Sequence, residues 1–447
     1  MSEVAPYESP TSEARRIFTL AWPVSLGMVG FTLMSTVDLI VASSLGIEAL
    51  ASLGIGNMWV FGITVFGLGA ARGVDPIVAQ SFGASDSLEP GRTLLRAWVL
   101  GLCVSIPLMA AHLFTAEGLL LLGQPPPLLD GAASYAFGAM WGLPFAVLFT
   151  VNRQFLQAMR IMKPAMVAVM AATGVNLALN ALFVWKLGLG IMGIGLATSL
   201  SWMFMLAVLV GLTWDTLSAA WPGWTGVMKT EPVVKLVSLA VPAGLQSVVE
   251  VWGFIIAGLM MGWLGMVQID AHIMAMNLAS VSFMLPFGVA AAATTRVGNL
   301  IGAGHDWWPT AKVSIAMSIA VMSVSTVLFA TMPAALLGVY TSDPAVIAAA
   351  LVIMPAAAAF QVFDGIQTTS MGVPRGAGDL TTPTLVDLVG FCVVGLPIGY
   401  WLAFERGWGP LGIWTGLGIS LATVAMLLVA RLFWLRRTGV APVVKVA

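Results

Sequence analysis

Charged residues, histidines and cysteines are all scarce in this sequence. Asp, Glu, Lys and Arg make up 9% of the 447 residues, against roughly 25% in an average soluble domain. Three histidines and two cysteines provide neither a metal cluster nor a nucleophile with its base, so an enzyme and a cofactor are not expected. Cys103 and Cys392 lie within apolar runs and are expected to be buried packing residues. The net charge of -1 gives no indication of a nucleic-acid partner.

Apolar residues, by contrast, make up 59% of the chain and recur in runs of roughly 20 residues, the length that spans a lipid bilayer as a helix. The runs are continuous rather than alternating, which excludes a membrane β-barrel. The expected fold class is therefore an all-α integral membrane protein, because helices satisfy every backbone group in lipid.

Twelve spans can be placed along the chain. The first is too long for a signal peptide and lacks a cleavage site, so we expect it to be retained. A polar break at 214–233 separates two halves, predicted as an N-lobe (17–213) and a C-lobe (234–434), with tails at 1–16 and 435–447. The spans lie near 17–43, 48–79, 94–115, 129–152, 164–186, 191–213, 234–262, 268–300, 311–333, 345–371, 382–404 and 410–434.

An internal repeat supports this division. Shifting the sequence by 219 residues aligns Leu20, Ala21 and Pro23 with Leu239, Ala240 and Pro242, and the alignment continues without a gap to residue 86. Two halves with six spans each share one orientation. The pseudo-two-fold axis that relates them is therefore expected to run along the membrane normal.

The basic residues predict the orientation. Of the 19 Lys and Arg residues, 17 lie at one set of alternating span ends, Lys445 included, and only Lys186 and Arg406 lie at the other. Both termini should therefore face the cytoplasm.

Three acids inside the spans are the strongest candidates for chemistry: Asp38, Glu250 and Asp364. A carboxylate within the bilayer costs several kcal/mol unless it is paired, hydrated or protonated. Such an acid can bind a proton or a cation during a transport cycle. The alternative is a structural hydrogen bond to a neighbouring helix.

Polar neighbours extend these candidate sites at helical spacing. Gln361 and Thr368 share a face with Asp364, and Gln246 shares one with Glu250. In the fifth and sixth spans Thr173, Asn176, Asn180 and Thr198 could join Asp38 around a cation. For Asn176, Asn180 and Thr198 taken alone, ordinary interhelical hydrogen bonds are the favoured interpretation.

Further polar positions are weaker candidates. Asp387 is explained as well by a local hydrogen bond as by transport, and His272 has no visible partner that would make it a pH sensor. Pro23 and Pro242 occupy matching places in the first helix of each half, where each produces either a hinge or a static kink.

The sequence resembles the multidrug and toxic compound extrusion (MATE) family, in particular its NorM-type bacterial branch. The resemblance covers nearly the whole chain and rests on several fragments in the right order on twelve spans. They are TVDLIVASSLG (36–46), PIVAQSFGA (76–84), GVNLALNALFVW (174–185), GIGLATSLS (193–201), RVGNLIGAG (296–304) and FDGIQTTSMGVPRGAGD (363–379).

The resemblance implies two six-helix lobes in a V that export small organic cations or drugs by antiport with Na⁺ or H⁺. It implies a monomer in the bacterial inner membrane. Asp38, Glu250 and Asp364 look like the family's acids of the first, seventh and tenth helices.

Asn176, Asn180 and Thr198 match the family's N-lobe polar cluster. Some members have an aspartate where this chain has Asn180, so the N-lobe here offers one acid instead of two. Because both C-lobe acids are present, the resemblance implies that Glu250 and Asp364 could bind Na⁺ in the C-lobe. The alternatives left open are a flippase or exporter of lipid-linked compounds or natural products from the same superfamily, and a passive channel.

Overall fold

The structure, a computed structural model, describes residues 4–341 and 343–444, so Lys445 lies outside the described residues. Across those two ranges every regular element is helical. The helices of the N-terminal half are α1 (Pro10–Ser43), α2 (Ile47–Ala70), α3 (Val74–Gly83), α4 (Glu89–His112), α5 (Thr115–Leu121), α6 (Pro126–Met140), α7 (Leu143–Ala158), α8 (Lys163–Asn180), α9 (Gly190–Leu212) and α10 (Trp214–Ala219).

The C-terminal half repeats this arrangement, with single long helices, α12 and α15, where the N-terminal half has α2 with α3 and α6 with α7. Its helices are α11 (Thr230–Leu264), α12 (Met266–Gly302), α13 (Trp308–Thr331), α14 (Pro333–Leu337), α15 (Pro344–Ala377), α16 (Thr381–Asp387), α17 (Leu396–Tyr400) and α18 (Pro410–Thr438). Wider π-helical turns follow α8 at Ala181–Lys186 and flank α17 at Leu388–Gly395 and Trp401–Glu405.

The prediction of twelve spans is confirmed. Eleven helical stretches in the described residues are long and apolar enough to cross a bilayer, and α6 with α7 forms a twelfth that is bent by 51°. The bend follows from the local sequence, because Pro144 supplies no N–H to the preceding turn. The amide of Gly142 lies 2.8 Å from Ser199 Oγ and 3.1 Å from the carbonyl oxygen of Ala139, so it has hydrogen-bond acceptors at the break.

Helices and turns of the two halves recur at the 219-residue offset. α4 and α13 are each 24 residues long and begin at positions 89 and 308. Glycines with positive φ recur at the same offset. Gly46 and Gly265 precede α2 and α12, and Gly188 and Gly407 precede α9 and α18. These turns end helices in a left-handed conformation that glycine adopts without strain.

Two compact units divide the chain. The N-unit comprises Leu26–Ser81 and Asp86–Val248; the C-unit comprises the residues up to Ser25, Phe82–Ser85 and the residues from Val249 onward. The division falls inside α1 and α11, so the first helix of each half starts in one unit and continues in the other. The lobe boundaries at 213 and 234 stay a prediction.

The first helix begins earlier than its predicted span. α1 starts at Pro10, inside the segment predicted as a cytoplasmic tail, and continues through Pro23 without interruption. α11 likewise continues through Pro242. The hinge role of both prolines stays a prediction.

The expectation that both cysteines are buried is wrong. Cys103 and Cys392 are free and exposed. A membrane-spanning helix has apolar side chains on its lipid-facing side as well as in its packed interface, so an apolar run does not indicate burial.

Candidate functional site

Asp38 is the centre of a polar cluster in the N-unit. It lies on α1, and 6% of its surface is exposed. Its carboxylate accepts a hydrogen bond from Asn180 Nδ2 at 2.7 Å and another from Thr198 Oγ1 at 3.0 Å. The sequence prediction that these residues meet is therefore matched by the geometry. Their role in transport stays a prediction.

Asn176 completes the cluster from one turn below Asn180 on α8. Asn180 Nδ2 also donates to Asn176 Oδ1 at 3.1 Å. Both asparagines are fully buried; the side chain of Asn176 also interacts with the carboxylate of Asp38, and Asn180 Oδ1 has no hydrogen-bond partner among the described residues. Unmet hydrogen-bonding capacity in a buried site is costly, so it marks a place where an ion or water belongs.

Thr198 has two acceptors for a single hydroxyl proton. Its Oγ1 lies 3.0 Å from the carboxylate of Asp38 and 3.1 Å from the carbonyl oxygen of Ile194 on its own helix. A hydroxyl has one donor hydrogen and two acceptor lone pairs. Thr198 can therefore donate to Asp38 or to Ile194, according to the protonation state of the acid.

A cavity opens beside Asp38, and sequence reasoning missed most of its lining. Tyr135 on α6 is buried, and its hydroxyl donates to Asn57 Oδ1 on α2 at 3.3 Å. Asn57 is an amide inside an apolar span, so the criterion that selected Asn176 would have found it. The cavity is lined by Ser35, Asp38, Leu39, Leu53, Asn57 and Tyr135.

Close contact between α6 and α9 holds Tyr135 and Thr198 in place. A Cβ added to Gly195 would lie 2.3 Å from the carbonyl oxygen of Tyr135, and one added to Gly138 would lie 2.6 Å from that of Met192. Small residues let membrane helices approach at backbone contact. The two glycines therefore set the distance between the helices that carry the site.

An aromatic stack lies on the same two helices as the Asp38 and Thr198 contact. Phe31 on α1 stacks on Trp202 of α9, with ring centroids 5.5 Å apart, and Phe149 packs edge-on against both rings. Phe31 precedes Asp38 by seven residues and Trp202 follows Thr198 by four, so both lie on the same helix faces as the polar pair.

Thr173 is not part of the cluster. Its hydroxyl lies 3.0 Å from two backbone carbonyl oxygens, that of Val169 on α8 and that of Gly30 on α1. It links α8 to α1 at Gly30, which precedes Asp38 on α1.

The C-unit holds the second pair of acids. Asp364 on α15 is buried, Glu250 on α11 is partly buried, and the two carboxyl groups interact electrostatically. Like charges in a low-dielectric environment repel unless a proton or a cation neutralises one of them. The pair therefore favours a positive ion.

Amide and hydroxyl groups on α15 surround Asp364. Gln361 Oε1 accepts from Ser282 Oγ at 2.7 Å. The Nε2 of Gln361, the hydroxyl of Thr368 and both amide atoms of Gln367 have no hydrogen-bond partner among the described residues. Gln367 is fully buried and was missed because it lies next to the predicted face.

The remaining candidates lie elsewhere. Gln246 is buried one turn before Glu250, on the stretch of α11 that belongs to the N-unit. Asp387 is buried at the end of α16, where the neighbouring Thr384 donates to the carbonyl of Leu380. His272 is buried edge-on against Trp414, 5.7 Å between ring centroids.

Oxygen atoms dominate both sites. In the described ranges no three His, Cys, Asp or Glu side chains converge as a metal cluster. Carboxylate, amide and hydroxyl oxygens are the ligands that hard cations prefer, and the same carboxylates accept protons. Both sites therefore have the ligand atoms that reversible binding of a small cation or a proton requires.

A known protein family matches both halves of the chain. The family described as MatE matches this chain twice, at residues 23–182 and 242–401. The two matches begin and end 219 residues apart, which is the offset of the internal repeat.

Relatives match along nearly the full chain. The "Probable multidrug resistance protein NorM" of Mesorhizobium japonicum is 34% identical over 98% of this chain and 97% of its own length. Multidrug and toxin extrusion protein 1 of Mus musculus is 31% identical over 95% of this chain and 76% of its own. In fold, the chain is similar to the eukaryotic MATE transporter AtDTX14, with a TM-score of 0.86 at 21% identity over 95% of this chain and 96% of that one.

Proposed function

Since this chain belongs to the MATE family of multidrug efflux transporters, we propose that it exports small organic cations and drugs in exchange for Na⁺ or H⁺. Members of the family are transporters and not enzymes. The observation that carries the proposal is the buried carboxylate of Asp38, which accepts hydrogen bonds from Asn180 and Thr198.

The physical reason is the environment of that carboxylate. An isolated charge inside a membrane protein is expensive, so acids there mark ion or proton pathways. The two donors stabilise the ionised form, and an organic cation bound close to Asp38 would stabilise it further. A proton or Na⁺ arriving from outside competes for the same charge.

The direction of the Thr198 hydrogen bond depends on whether Asp38 is ionised or protonated. When Asp38 is ionised, the hydroxyl donates to it. When Asp38 is protonated, the acid donates to Thr198 Oγ1, and the hydroxyl hydrogen turns to the carbonyl of Ile194. One proton on the acid thus reverses the hydrogen bond between α1 and α9, the helices that also carry the Phe31 and Trp202 stack.

The C-unit acids are proposed as a second ion site. Glu250 and Asp364 supply two carboxylates, and Gln361 and Thr368 lie on the same face of α15 as Asp364. This oxygen-rich set suits Na⁺, or a proton shared by the pair.

Transport by alternating access follows from competition between ion and drug. The bound ion must lower the affinity for drug, and by linkage the drug lowers the affinity for the ion equally. We place the protein in the bacterial inner membrane as a monomer, with both termini cytoplasmic, and assign bending of α1 and α11 to Pro23 and Pro242.

The proposal is tested in proteoliposomes that contain the purified protein. A fluorescent organic cation is loaded, and a Na⁺ gradient or a pH gradient is imposed separately. At least one gradient should drive the drug uphill. Movement that only ever runs downhill would indicate a passive channel, and transport of a lipid-linked oligosaccharide in place of the drug would indicate a flippase.

A further inference from the structure

A buried ion pair fastens the start of α1 to the C-unit. Glu13 lies in the first turn of α1 and is fully buried. Its carboxylate accepts from Arg296 Nε at 2.8 Å and Nη2 at 3.2 Å, and from Thr310 Oγ1 at 2.7 Å. We call Glu13, Arg296 and Thr310 the clasp. It joins α1 to the end of α12 and the first turn of α13.

The chain before α1 closes over the clasp. Arg296, which is 1% exposed, also donates to the carbonyl of Ala5 at 2.7 Å. Val4 is buried in an apolar cluster that includes Val297 and Leu435. Arg16 holds the same segment from its outer side, by donating to the carbonyl of Pro6 and to Glu8.

A buried ion pair of this kind is poor evidence of stabilisation. Desolvating two charges offsets most of their attraction, and apolar residues of similar volume often stabilise a fold as well. The bidentate geometry of an Arg and carboxylate pair does, however, fix one orientation. The clasp is therefore better suited to setting the position of a helix than to strengthening the unit.

The clasp is not repeated in the N-terminal half of the chain. At the 219-residue offset, Glu13 corresponds to Pro232, Arg296 to Ile77 and Thr310 to Gly91. None of these three can form an ion pair. In the N-unit the buried Arg96 instead donates to the carbonyl of Val227, before α11, so the pairing of Glu13 with Arg296 is particular to α1.

The helix that the clasp fixes is the one that carries Asp38. α1 continues through Pro23 without interruption from Pro10 to Ser43, so Glu13 and Asp38 lie 25 residues apart on one helix. Residues up to Ser25 belong to the C-unit, and those from Leu26 belong to the N-unit. Rotation or sliding of the clasped end would therefore displace Asp38.

We propose that the clasp is a positioning device, in which Glu13, Arg296 and Thr310 set the rotation and height of α1 and thereby place Asp38 against Asn180 and Thr198. The three residues act through the helix and do not touch the ion or the drug. The effect on transport rests on the proposed function of Asp38, whereas the effect on the position of α1 does not.

The test measures how accessible a residue beside Asp38 on α1 is to a labelling reagent. In the full-length protein, Cys103 and Cys392 are replaced by Ser, and Ser35→Cys, beside Asp38 in the cavity, is labelled with a water-soluble maleimide. The clasp is removed by Glu13→Gln. It is also removed by the double change Glu13→Gln with Arg296→Met, which leaves no unpaired buried charge. Asp306→Asn is the matched control, because it removes an ion pair, with Arg436, whose two side chains are exposed.

We expect the double variant to keep the melting temperature of the parent and to label at Ser35→Cys about tenfold faster, a typical size for coupling between distant sites. Export should fall with it, and Asp306→Asn should match the parent in both labelling and export. Labelling within about threefold of the parent overturns the proposal. Faster labelling in a protein whose Asp38→Asn variant still transports drug normally would instead reject the proposed role of Asp38 and leave the clasp standing.

Discussion

Asn180 donates a 2.7 Å hydrogen bond to the carboxylate of Asp38 from 142 positions away in the chain. The donor lies at the C-terminal end of α8, and the acceptor lies near the C-terminal end of α1. A hydrogen bond to a buried charge is worth about 1.5–3 kcal/mol, enough to decide whether that charge is tolerated. The proposed transport mechanism depends on the contact between Asn180 and Asp38.

Replacing Asn180 should therefore impair export. In Asn180→Ala the ionised form of Asp38 loses a donor, and we expect ion-driven drug efflux to fall about tenfold or more. Efflux rates in proteoliposomes at equal protein content measure this. Asn277→Ala is the control, because that exposed amide bonds the carbonyl of Ile273 in its own helix. Unchanged efflux from Asn180→Ala would remove the amide from the mechanism.

The hydroxyl of Thr198 should matter more than its bulk. Thr198→Val keeps the shape but cannot reverse its hydrogen bond, so we expect efflux to lose its dependence on the ion gradient. Thr198→Ser restores the hydroxyl and should restore coupling. Thr415→Val is the matched control, since its hydroxyl bonds the carbonyl of Leu411 in its own helix. Equal coupling in the Val and Ser variants would contradict the switch.

The acids of the C-unit should act together. Neutralising either one, in Glu250→Gln or Asp364→Asn, removes half of the charge that attracts the cation, so each variant should need more Na⁺ or H⁺ to reach half-maximal efflux. The double variant should be little worse than either single variant, because groups that act as a unit are non-additive. Asp270→Asn, at an exposed acid on α12, should behave as the parent does. Effects that simply add would argue against one shared site.

Sequence alone predicted a good part of this arrangement. Asn176 and Asn180 share a helix face by spacing, and a carboxylate in a span needs partners, so the cluster around Asp38 could be anticipated. Tyr135 was missed because a tyrosine in a span is usually an interface anchor, and its contact with Asn57 depends on how α2 packs on α6. Glu13 was assigned to a polar tail because its partner, Arg296, is 283 positions away.

The glycine contacts between α6 and α9 give a prediction for stability. Gly195→Ala places a Cβ within 2.3 Å of the Tyr135 carbonyl oxygen, which forces the helices apart and should destabilise the protein by about 1–3 kcal/mol. The melting temperature in detergent should fall, and export should fall with it. Gly174→Ala is the control, because nothing lies within 4 Å of its added Cβ. Equal melting temperatures for the two variants would contradict the packing argument.

The central claim is that drug and coupling ion compete for the charge of Asp38. It is tested most directly by the affinity of the purified protein for a fluorescent organic cation, measured by titration across a range of pH and Na⁺ concentrations in the parent and in Asp38→Asn. For the parent, affinity should weaken as the pH falls or as Na⁺ rises, since either ion neutralises the carboxylate that attracts the drug. For Asp38→Asn, affinity should be weaker throughout and should lose most of that dependence. A variant whose affinity follows pH and Na⁺ as the parent's does would contradict the claim.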